Sequence, residues 1–561
     1  MPKPPVQTPT FAELFTPKLV TVLREGYGLA QLRRDAVAGL TVAIVALPLS
    51  MAIAIASGLP PERGLFTAIV GGFIISMLGG SRFQIGGPAG AFIVLVAMIV
   101  ERHGYDGLVL ATFMAGLMLV AAGYLRLGAY IKFIPYPVTV GFTAGIATII
   151  FASQLKEIFG LDLAKEPAAF VPKLEALWAA GPTLRPAALA IALGGIALII
   201  LLRRLKPHWP GFLIVVGLTS LIAWVLNLDI ATIGTRFGGV PSSLPAPTLP
   251  GFSFEKIGAV FQDAVSIAVL GGIESLLSAV VADGMTGRRH RSNCELVAQG
   301  FANMASVIFG GMCATGTIAR TATNVRSGAH GPVSGMLHAV YLLVFMLVAA
   351  PLMSLVPLAA LAAVLAVVSW NMAEKAEFWN LIKASMGDRV VLLATYLLTV
   401  FQDLTVGISV GVILGAFLFM HRMARQVEID VRSSVDDVAD DPSSAYNSEF
   451  ATDESLMVYR INGPFFFGAT ATAGSILDRI GDHPRSLILD FAGVPFIDST
   501  GANTLEGFVR KLRRSGTTVI FSSVPPVLKR SLSAYGLDES HIRYEPTLDA
   551  AVAAVRGPAK T

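Results

Sequence analysis

Charged residues and cysteines are both scarce in this 561-residue chain. Charged side chains make up 14% of the sequence and hydrophobic ones 54%, whereas a soluble domain carries roughly 25% charged residues. The two cysteines, Cys294 and Cys313, lie in or beside apolar segments. This placement argues for buried thiols and against a disulfide framework or a metal site. The composition therefore predicts a polytopic membrane protein.

Patterns that would support enzymatic chemistry are also missing. No glycine-rich loop with a following lysine is present, so ATP hydrolysis is not indicated. The eight histidines are scattered rather than grouped with catalytic partners or metal ligands. The net charge of +4 is small, and basic cytoplasmic loops explain it better than nucleic-acid binding. We expect a protein that is not an enzyme, with no cofactor, no metal and no nucleic-acid partner.

Long hydrophobic runs are abundant and form two groups of seven. An odd number of spans in each group forces the two groups into opposite orientations, so we predict an inverted repeat of fourteen transmembrane segments. The repeats cover about 35–227 and 263–422. The predicted segments are 35–57, 64–80, 88–100, 107–124, 136–152, 186–203, 211–227, 263–283, 295–311, 317–328, 333–350, 357–372, 388–401 and 404–422.

One segment in each group is broken by glycines. The first break runs from Gly79 to Gly90 and the second from Gly310 to Arg320, and each precedes an apolar run too short to span a bilayer. Non-helical backbone at membrane depth is tolerated only where protein or a cavity satisfies its polar groups. Paired broken segments in two repeats indicate a transport site, and the N-termini of the half-helices favour an anion. The sequence therefore predicts an anion transporter.

Basic clusters in short loops predict the orientation of the segments, because such clusters remain on the cytoplasmic side. In a fourteen-span arrangement all of them fall on one side, so we expect both termini in the cytoplasm. Residues 1–34 have no apolar signal-peptide core and form a cytoplasmic segment. The clusters are Arg33-Arg34, Arg203-Arg204-Leu205-Lys206, Arg288-Arg289-His290-Arg291 and Arg422-Met423-Ala424-Arg425.

The composition changes after the transmembrane region, 35–425. Residues 426–454 are rich in Asp and Ser, which is typical of a flexible linker. Residues 455–557 follow an α/β pattern long enough for a small domain. Strands are predicted at 455–461, 486–491 and 517–523, and helices at 500–515 and 526–535.

Several motifs resemble those of the SulP/SLC26 anion transporters. Residues 58–67, 79–88 and 141–145 are similar to the transmembrane signature of the family, and 487–491 with 496–501 resemble a STAS domain. The resemblance extends from about residue 30 to 556. It implies a UraA/SLC26-like fold with core and gate helices, an elevator-like motion and a homodimer in the lipid bilayer. It also implies a cytoplasmic STAS domain that is available to a protein partner.

Within the family the similarity is densest to a bacterial C4-dicarboxylate transporter, in residues 272–277, 283–287 and 318–329. This resemblance implies a location in a bacterial inner membrane. We therefore expect proton-coupled uptake of succinate, fumarate or aspartate as small anionic substrates. Sulfate or bicarbonate transport in the same fold is the alternative. A nucleobase carrier shares the inverted repeat, but Arg320 and the STAS domain argue against it. A membrane sensor whose output is the STAS domain is a further alternative.

Glu274 and Arg320 are the two ionisable residues of greatest interest. Glu274 lies in the middle of a predicted span, where ionisable groups are costly and usually functional, and we expect it to couple protons to anion movement. Arg320 follows the second break and offers bidentate donors to an anion. The structural alternative is that the two side chains pair with each other, or that Glu274 pairs with a serine or a backbone N–H.

The backbone at the half-helix starts is expected to bind the anion. The alternative is that its small residues only permit close helix packing. In the first segment, Leu49 and Ile53 replace a glutamine and an aromatic residue common in relatives, which makes the site less polar and larger. Thr321 and Asn324 could add polar contacts or join helices. The expected substrate-binding residues are Pro88, Ala89, Gly90, Thr317, Ile318, Ala319, Arg320, Leu49 and Ile53.

Ser499 and Thr500 resemble the phosphorylated loop of regulatory STAS domains. Both precede a predicted helix, so capping of the helix N-terminus by their hydroxyl groups is the plainer interpretation. Regulatory phosphorylation or nucleotide sensing is the alternative.

Overall fold

Two units make up the chain, Met1–Ile413 and Leu414–Thr561, and each is described by itself. The structure is a computed structural model. It describes residues 10–129, 134–163, 166–167, 169–206, 209–402, 404–424, 428–432, 456–468 and 485–556.

The first unit is almost entirely helical, and a π-helical stretch, Thr67–Gly71, joins α4 to α5. Two very short strands, β1 (Gly86–Gly87) and β2 (Thr315–Gly316), interrupt the helices. The helices are α1 (Phe11–Phe15), α2 (Lys18–Arg24), α3 (Leu29–Ala56), α4 (Pro61–Phe66), α5 (Gly72–Leu78), α6 (Ile93–Tyr124), α7 (Tyr136–Phe159), α8 (Phe170–Ala179), α9 (Pro186–Leu205), α10 (Gly211–Val225), α11 (Ile233–Phe237), α12 (Phe254–Thr286), α13 (Ser292–Ile308), α14 (Ile318–Arg326), α15 (Val333–Met353), α16 (Leu358–Met372), α17 (Lys375–Lys383) and α18 (Met386–Phe401). Helix α19 (Leu404–Ala424) begins in this unit and ends in the second.

All fourteen predicted segments fall on helices. In the described residues, nine helices are long and apolar enough to cross a membrane, and α10 is a shorter apolar helix. One of the nine, Gly90–Tyr124, contains two predicted segments. Gly104 separates them with a left-handed backbone (φ 68°), a conformation that glycine adopts at little cost.

Contacts divide the membrane helices into two groups. Helix α6 packs against α12 and α13, and α15 packs against α3 and α5, with α14 beside α12. Separately, α7 packs against α16 and α18, and α9 against α10 and α16. Helix α3 touches α10 and α16 and is a principal link between the groups. We call the first set the core helices and the second the gate helices.

The second unit contains a sheet covered by helices. Its strands are β3 (Glu428–Arg432), β4 (Leu456–Asn462), β5 (Ser486–Gly493), β6 (Thr518–Ser522) and β7 (Arg543–Glu545), in the order β3-β4-β5-β6-β7. Among the strand pairs that the structure describes in this unit, β3–β4 is antiparallel and the other three are parallel. Helices α20 (Ser499–Arg514), α21 (Pro526–Ser533) and α22 (Leu548–Arg556) complete it, and α20 and α21 bury Leu505, Phe508 and Leu528 against the strands.

The predicted strands and helices of this unit are confirmed to within about two residues, but one boundary is wrong. Residues 428–432, expected in the flexible linker, form strand β3 and pair with β4 from Glu428↔Asn462 to Arg432↔Val458. The polar composition of the segment did not indicate a strand. The reason is that a strand at the edge of a sheet needs only one apolar face. The remaining linker, 433–454, lies outside the described residues.

Candidate functional site

The two glycine-broken segments meet each other. Strand β1 pairs antiparallel with β2, so that Gly86 lies opposite Gly316 and Gly87 opposite Thr315. The N–H of Thr317 also donates to the Ile85 carbonyl at 2.9 Å. These bonds satisfy backbone groups that the breaks would otherwise leave unpaired in an apolar interior.

A short helix begins immediately after each strand. A 3₁₀ turn, Gly90–Phe92, leads into α6, and Thr317 precedes α14. Neither start is capped by the side chain of its N-cap residue, Ala89 or Thr317. The first N–H groups of a helix have no intrahelical acceptor. Both helix starts therefore present partial positive charge next to the paired strands β1 and β2, which we call the β1–β2 crossing.

Arg320 lies at this crossing and is 1% exposed. Its Nη2 donates to Ser50 Oγ at 3.2 Å and to the Pro88 carbonyl at 3.4 Å. Its Nε and Nη1 are buried and have no acceptor among the described residues. A buried guanidinium with unused donors is strongly attractive to an oxyanion, because unpaired buried charge is costly.

The other predicted binding residues are close to this crossing but differ in exposure. Pro88, Ala89 and Thr317 are buried, Gly90 and Ile318 are half-buried, and Ala319 is exposed. Leu49 and Ile53 are buried in α3 at 6% and 3% exposure. They flank Ser50, the α3 residue that contacts Arg320. The assignment of Leu49 and Ile53 to substrate binding stays a prediction, and Ser50 between them makes the polar contact with Arg320.

Thr321 and Asn324 join helices. Thr321 Oγ1 accepts hydrogen bonds from the Ile85 N–H and from Ser278 Oγ, both at 3.1 Å. Asn324 Nδ2 donates to the Phe83 carbonyl and to Ser334 Oγ, both at 2.9 Å. These bonds hold α14 against the first broken segment.

Glu274 lies in α12 and forms no ion pair with Arg320. Its Oε2 is buried without a hydrogen-bond partner among the described residues. The hydroxyl group of the neighbouring residue, Ser275, accepts a hydrogen bond from Gln84 Nε2 at 2.7 Å. The pairing of Glu274 with Arg320, considered from the sequence, is therefore absent from this structure, and both groups have unused hydrogen-bonding atoms.

His338 in α15 was missed by the sequence prediction. Its side chain is fully buried, and neither ring nitrogen has a hydrogen-bond partner among the described residues. An ionisable residue inside a predicted membrane segment was the available signal. A Cβ on Gly72 would lie 3.9 Å from its Cε1, so the ring packs against the core helix α5.

In the second unit, the predicted hydroxyl cap is wrong. The Asp498 carboxylate caps α20, accepting from the Gly501 N–H at 2.7 Å and from the Phe467 N–H at 3.1 Å. Ser499 and Thr500 occupy the first turn and are exposed. A carboxylate accepts these bonds more strongly than a hydroxyl group, and Asp498 stands at the N-cap position.

Comparison with known proteins agrees with this architecture. A model of the sulfate permease family matches residues 32–395, and a STAS domain model matches residues 447–551. The chain belongs to the sulfate permease family. Relatives of this chain are named as bicarbonate and sulfate anion transporters. The chain is a membrane transporter rather than an enzyme.

Two bacterial relatives match almost the whole of this chain. YvdB of Bacillus subtilis (strain 168), provisionally named a sulfate transporter, is 39% identical over 91% of this chain and 95% of its own. The bicarbonate transporter BicA of Synechocystis sp. is 31% identical over 89% and 90%. These relatives give no support to the expected closeness to a C4-dicarboxylate transporter.

Solved structures show the same fold. The murine Solute Carrier 26 family member A9 anion transporter, in its inward-facing state, aligns over 99% of this chain and 96% of its own, with a TM-score of 0.84 at 18% identity. The transmembrane domain of a cyanobacterial BicA aligns over 69% of this chain and 98% of its own, with a TM-score of 0.60 at 32% identity.

Proposed function

We propose that the chain is a secondary active transporter of a small inorganic oxyanion, with sulfate as the first candidate and bicarbonate as the second. One observation carries the proposal. Arg320 is buried at the crossing of β1 and β2, between two helix starts, and its Nε and Nη1 have no partner in the part of the chain that the structure describes. The arrangement offers charge, a planar donor pair and backbone N–H groups to one anion.

The choice of substrate rests on the relatives. Their names refer to sulfate and bicarbonate, which favours the alternative considered from the sequence over the C4-dicarboxylates. The dicarboxylate interpretation depended partly on Leu49 and Ile53 enlarging the site. Both side chains are buried, so they give that interpretation no further support.

Glu274 supplies the proposed coupling to protons. Burial disfavours a charged carboxylate without a partner, and Oε2 of Glu274 has none among the described residues. A carboxyl group that is buried in one state of the transport cycle and hydrated in another takes up and releases a proton. Coupling of this kind drives an anion against its gradient.

The proposed motion moves the core helices relative to the gate helices. Gly90, at the start of the first half-helix, faces the gate: a Cβ there would lie 3.1 Å from Ile150 Cδ1 of α7 and 3.4 Å from Met372 Sδ of α16. The anion site therefore borders the interface between the two groups. Displacement of the core would carry the site across the membrane, in an elevator-like cycle within a homodimer.

The proposed orientation places both termini in the cytoplasm and the helices in a bacterial inner membrane. Arg291, in one basic cluster, donates from Nη1 to the Thr16 carbonyl and to Thr21 Oγ1, both at 2.9 Å. The N-terminal helices and this cluster therefore share one end of the unit. The clustering of positive charge at that end supports its cytoplasmic location.

Uptake into proteoliposomes tests the proposal. Radiolabelled sulfate, bicarbonate and succinate are offered separately, with and without an inward proton gradient, to the full chain and to Arg320→Gln. We expect saturable sulfate uptake that the proton gradient increases and that Arg320→Gln abolishes. Arg326→Gln, an exposed arginine at the end of the same helix, is the matched control.

The competing interpretations predict other outcomes. Bicarbonate uptake without sulfate uptake would select the second candidate, and succinate uptake alone would return the substrate to the dicarboxylates. Absence of flux for all three would contradict the transporter proposal for these anions and favour a membrane sensor. Deletion of residues 440–561 distinguishes a transporter from a membrane sensor, because a transporter retains some flux without its STAS domain.

A further inference from the structure

A second cationic cavity lies away from the β1–β2 crossing. It has a volume of about 540 Å³ and is bordered by the start of α4, the kink of α6, the 245–251 segment and the start of α12. We call it the Arg63 cavity. Its charged and titratable lining residues are Arg63, Lys256, His103, Asp106 and Tyr105.

Arg63 has only neutral partners among the described residues. Its Nη1 donates to the Gly310 carbonyl at 2.8 Å and to the Tyr105 hydroxyl at 3.1 Å. The guanidinium carbon lies 4.2 Å from the centre of the Tyr105 ring. Its Nε is buried and finds no acceptor within the described part of the chain. The side chain is held in place while its charge remains uncompensated by any direct ion pair.

The other lining groups leave the cavity positive. Lys256 is exposed and forms no ion pair within the described chain. Asp263, the acidic neighbour of His103 at 3.5 Å, already pairs with Arg102 at 2.8 Å. Asp106 is the one carboxylate among the lining residues. Among the lining residues, two full positive charges thus stand against one negative charge. Glu62, next to Arg63 in the chain, interacts with it electrostatically but does not line the cavity. An excess of positive charge in the lining of a concave site concentrates anions.

We propose that the Arg63 cavity binds a second small oxyanion, separate from the one at Arg320. The guanidinium group of Arg63 and the ammonium group of Lys256 are the donors. The proposal takes its ligand class from the proposed function, but the site it describes shares no residue with the Arg320 site. Under the proposed orientation the cavity opens on the extracytoplasmic side.

The cavity is connected to the transport site through the second break. Arg63 holds the Gly310 carbonyl, and the Tyr105 hydroxyl donates to the Gly311 carbonyl at 2.8 Å. Both glycines precede β2 in the chain. A Cβ on Gly310 would lie 2.8 Å from Arg63 Nη1, so the turn and the guanidinium are in close contact. The Arg63 cavity therefore borders the turn that precedes β2 and α14.

Equilibrium binding of radiolabelled sulfate to the purified full chain in lipid nanodiscs tests the proposal. The variants are Arg320→Gln, Arg63→Gln, Lys256→Gln, and Arg320→Gln combined with each of the other two. We expect Arg320→Gln to retain one saturable site. Adding Lys256→Gln should weaken that site about tenfold, the loss of about 1.4 kcal/mol, and adding Arg63→Gln should abolish it.

Controls separate charge, folding and function. Lys383→Gln removes an exposed lysine outside the cavity and should leave both sites unchanged. Because Arg63 also supports Gly310, its variant is checked by size-exclusion profile and thermal midpoint. Lys256 is exposed, so Lys256→Gln remains informative if Arg63→Gln does not fold.

Three outcomes would overturn the second site. They are loss of all saturable binding in Arg320→Gln, residual binding that neither Lys256→Gln nor Arg63→Gln changes, and no saturable binding in the unaltered chain. Conversely, binding that Arg63→Gln removes and Arg320→Gln leaves intact would support this cavity while contradicting the proposed transport site.

Discussion

Gly87 and Arg320 are in direct contact across the crossing of the two broken segments. A Cβ built on Gly87 would lie 2.5 Å from Nη1 of Arg320, closer than two such atoms can approach. The position of the guanidinium therefore depends on the absence of a side chain at Gly87. It also depends on Ser50 and Pro88, which accept hydrogen bonds from Nη2 of the same group.

Gly87→Ala should impair transport without unfolding the protein. The added methyl group displaces the guanidinium from the anion position, so we expect at least a tenfold increase in KM for sulfate uptake. Gly217→Ala in α10 is the matched control, because a Cβ there has nothing within 4 Å. An unchanged KM in Gly87→Ala would show that Arg320 does not contact the anion.

Arg320→Lys should weaken anion binding although the charge is kept. Lysine cannot reproduce the planar donor pair, and hydrogen bonds to a charged group contribute roughly 1.5–3 kcal/mol, which corresponds to a loss of about 10- to 100-fold in affinity. Equilibrium sulfate binding measures the effect, with Arg326→Lys as control. Affinity equal to that of the unaltered chain would assign Arg320 a purely structural role.

Glu274→Gln should separate anion movement from proton coupling. Glutamine keeps the shape of the side chain but cannot titrate. Sulfate exchange between the two sides should therefore persist, whereas uptake driven by an inward proton gradient should be lost. Glu255→Gln, in the exposed first turn of the same helix, is the control. Uptake by Glu274→Gln that still follows the proton gradient would eliminate Glu274 as the coupling residue.

His338→Leu should leave the thermal midpoint unchanged or raise it. Both ring nitrogens are buried without partners among the described residues, and an unsatisfied buried polar group costs roughly 1–3 kcal/mol. Thermal unfolding in nanodiscs measures stability, and sulfate uptake is recorded in parallel. A midpoint lowered by several degrees would mean that the imidazole makes stabilising hydrogen bonds. Lost uptake at full stability would place His338 in the transport cycle.

Asp498→Ala should destabilise the start of α20, whereas Ser499→Ala should not. Asp498 accepts hydrogen bonds from two backbone N–H groups, and loss of an N-cap costs roughly 0.5–2 kcal/mol. Hydrogen exchange of residues 499–505 in the full chain should become faster only in Asp498→Ala. Equally faster hydrogen exchange in both variants would mean that the hydroxyl groups cap the helix, as predicted from the sequence.

The sequence by itself determined the helices and their breaks. Long apolar runs must become helices in a membrane because every backbone polar group needs an internal partner. The glycines within 79–90 and 310–316 mark the places where backbone polar groups find their partners outside a helix. The α/β pattern after residue 455 was equally readable, since strands and amphipathic helices have distinct periodicities. Family membership followed from the same motifs.

Only the tertiary structure decided which side chains meet. Ser50 and Arg320 are 270 positions apart, and no local pattern predicts that Arg320 contacts Ser50 rather than Glu274. The same holds for the burial of His338 without partners and for the cationic lining of the Arg63 cavity. Local sequence controls helix formation and capping, whereas the neighbours of a buried charge depend on how separate helices pack.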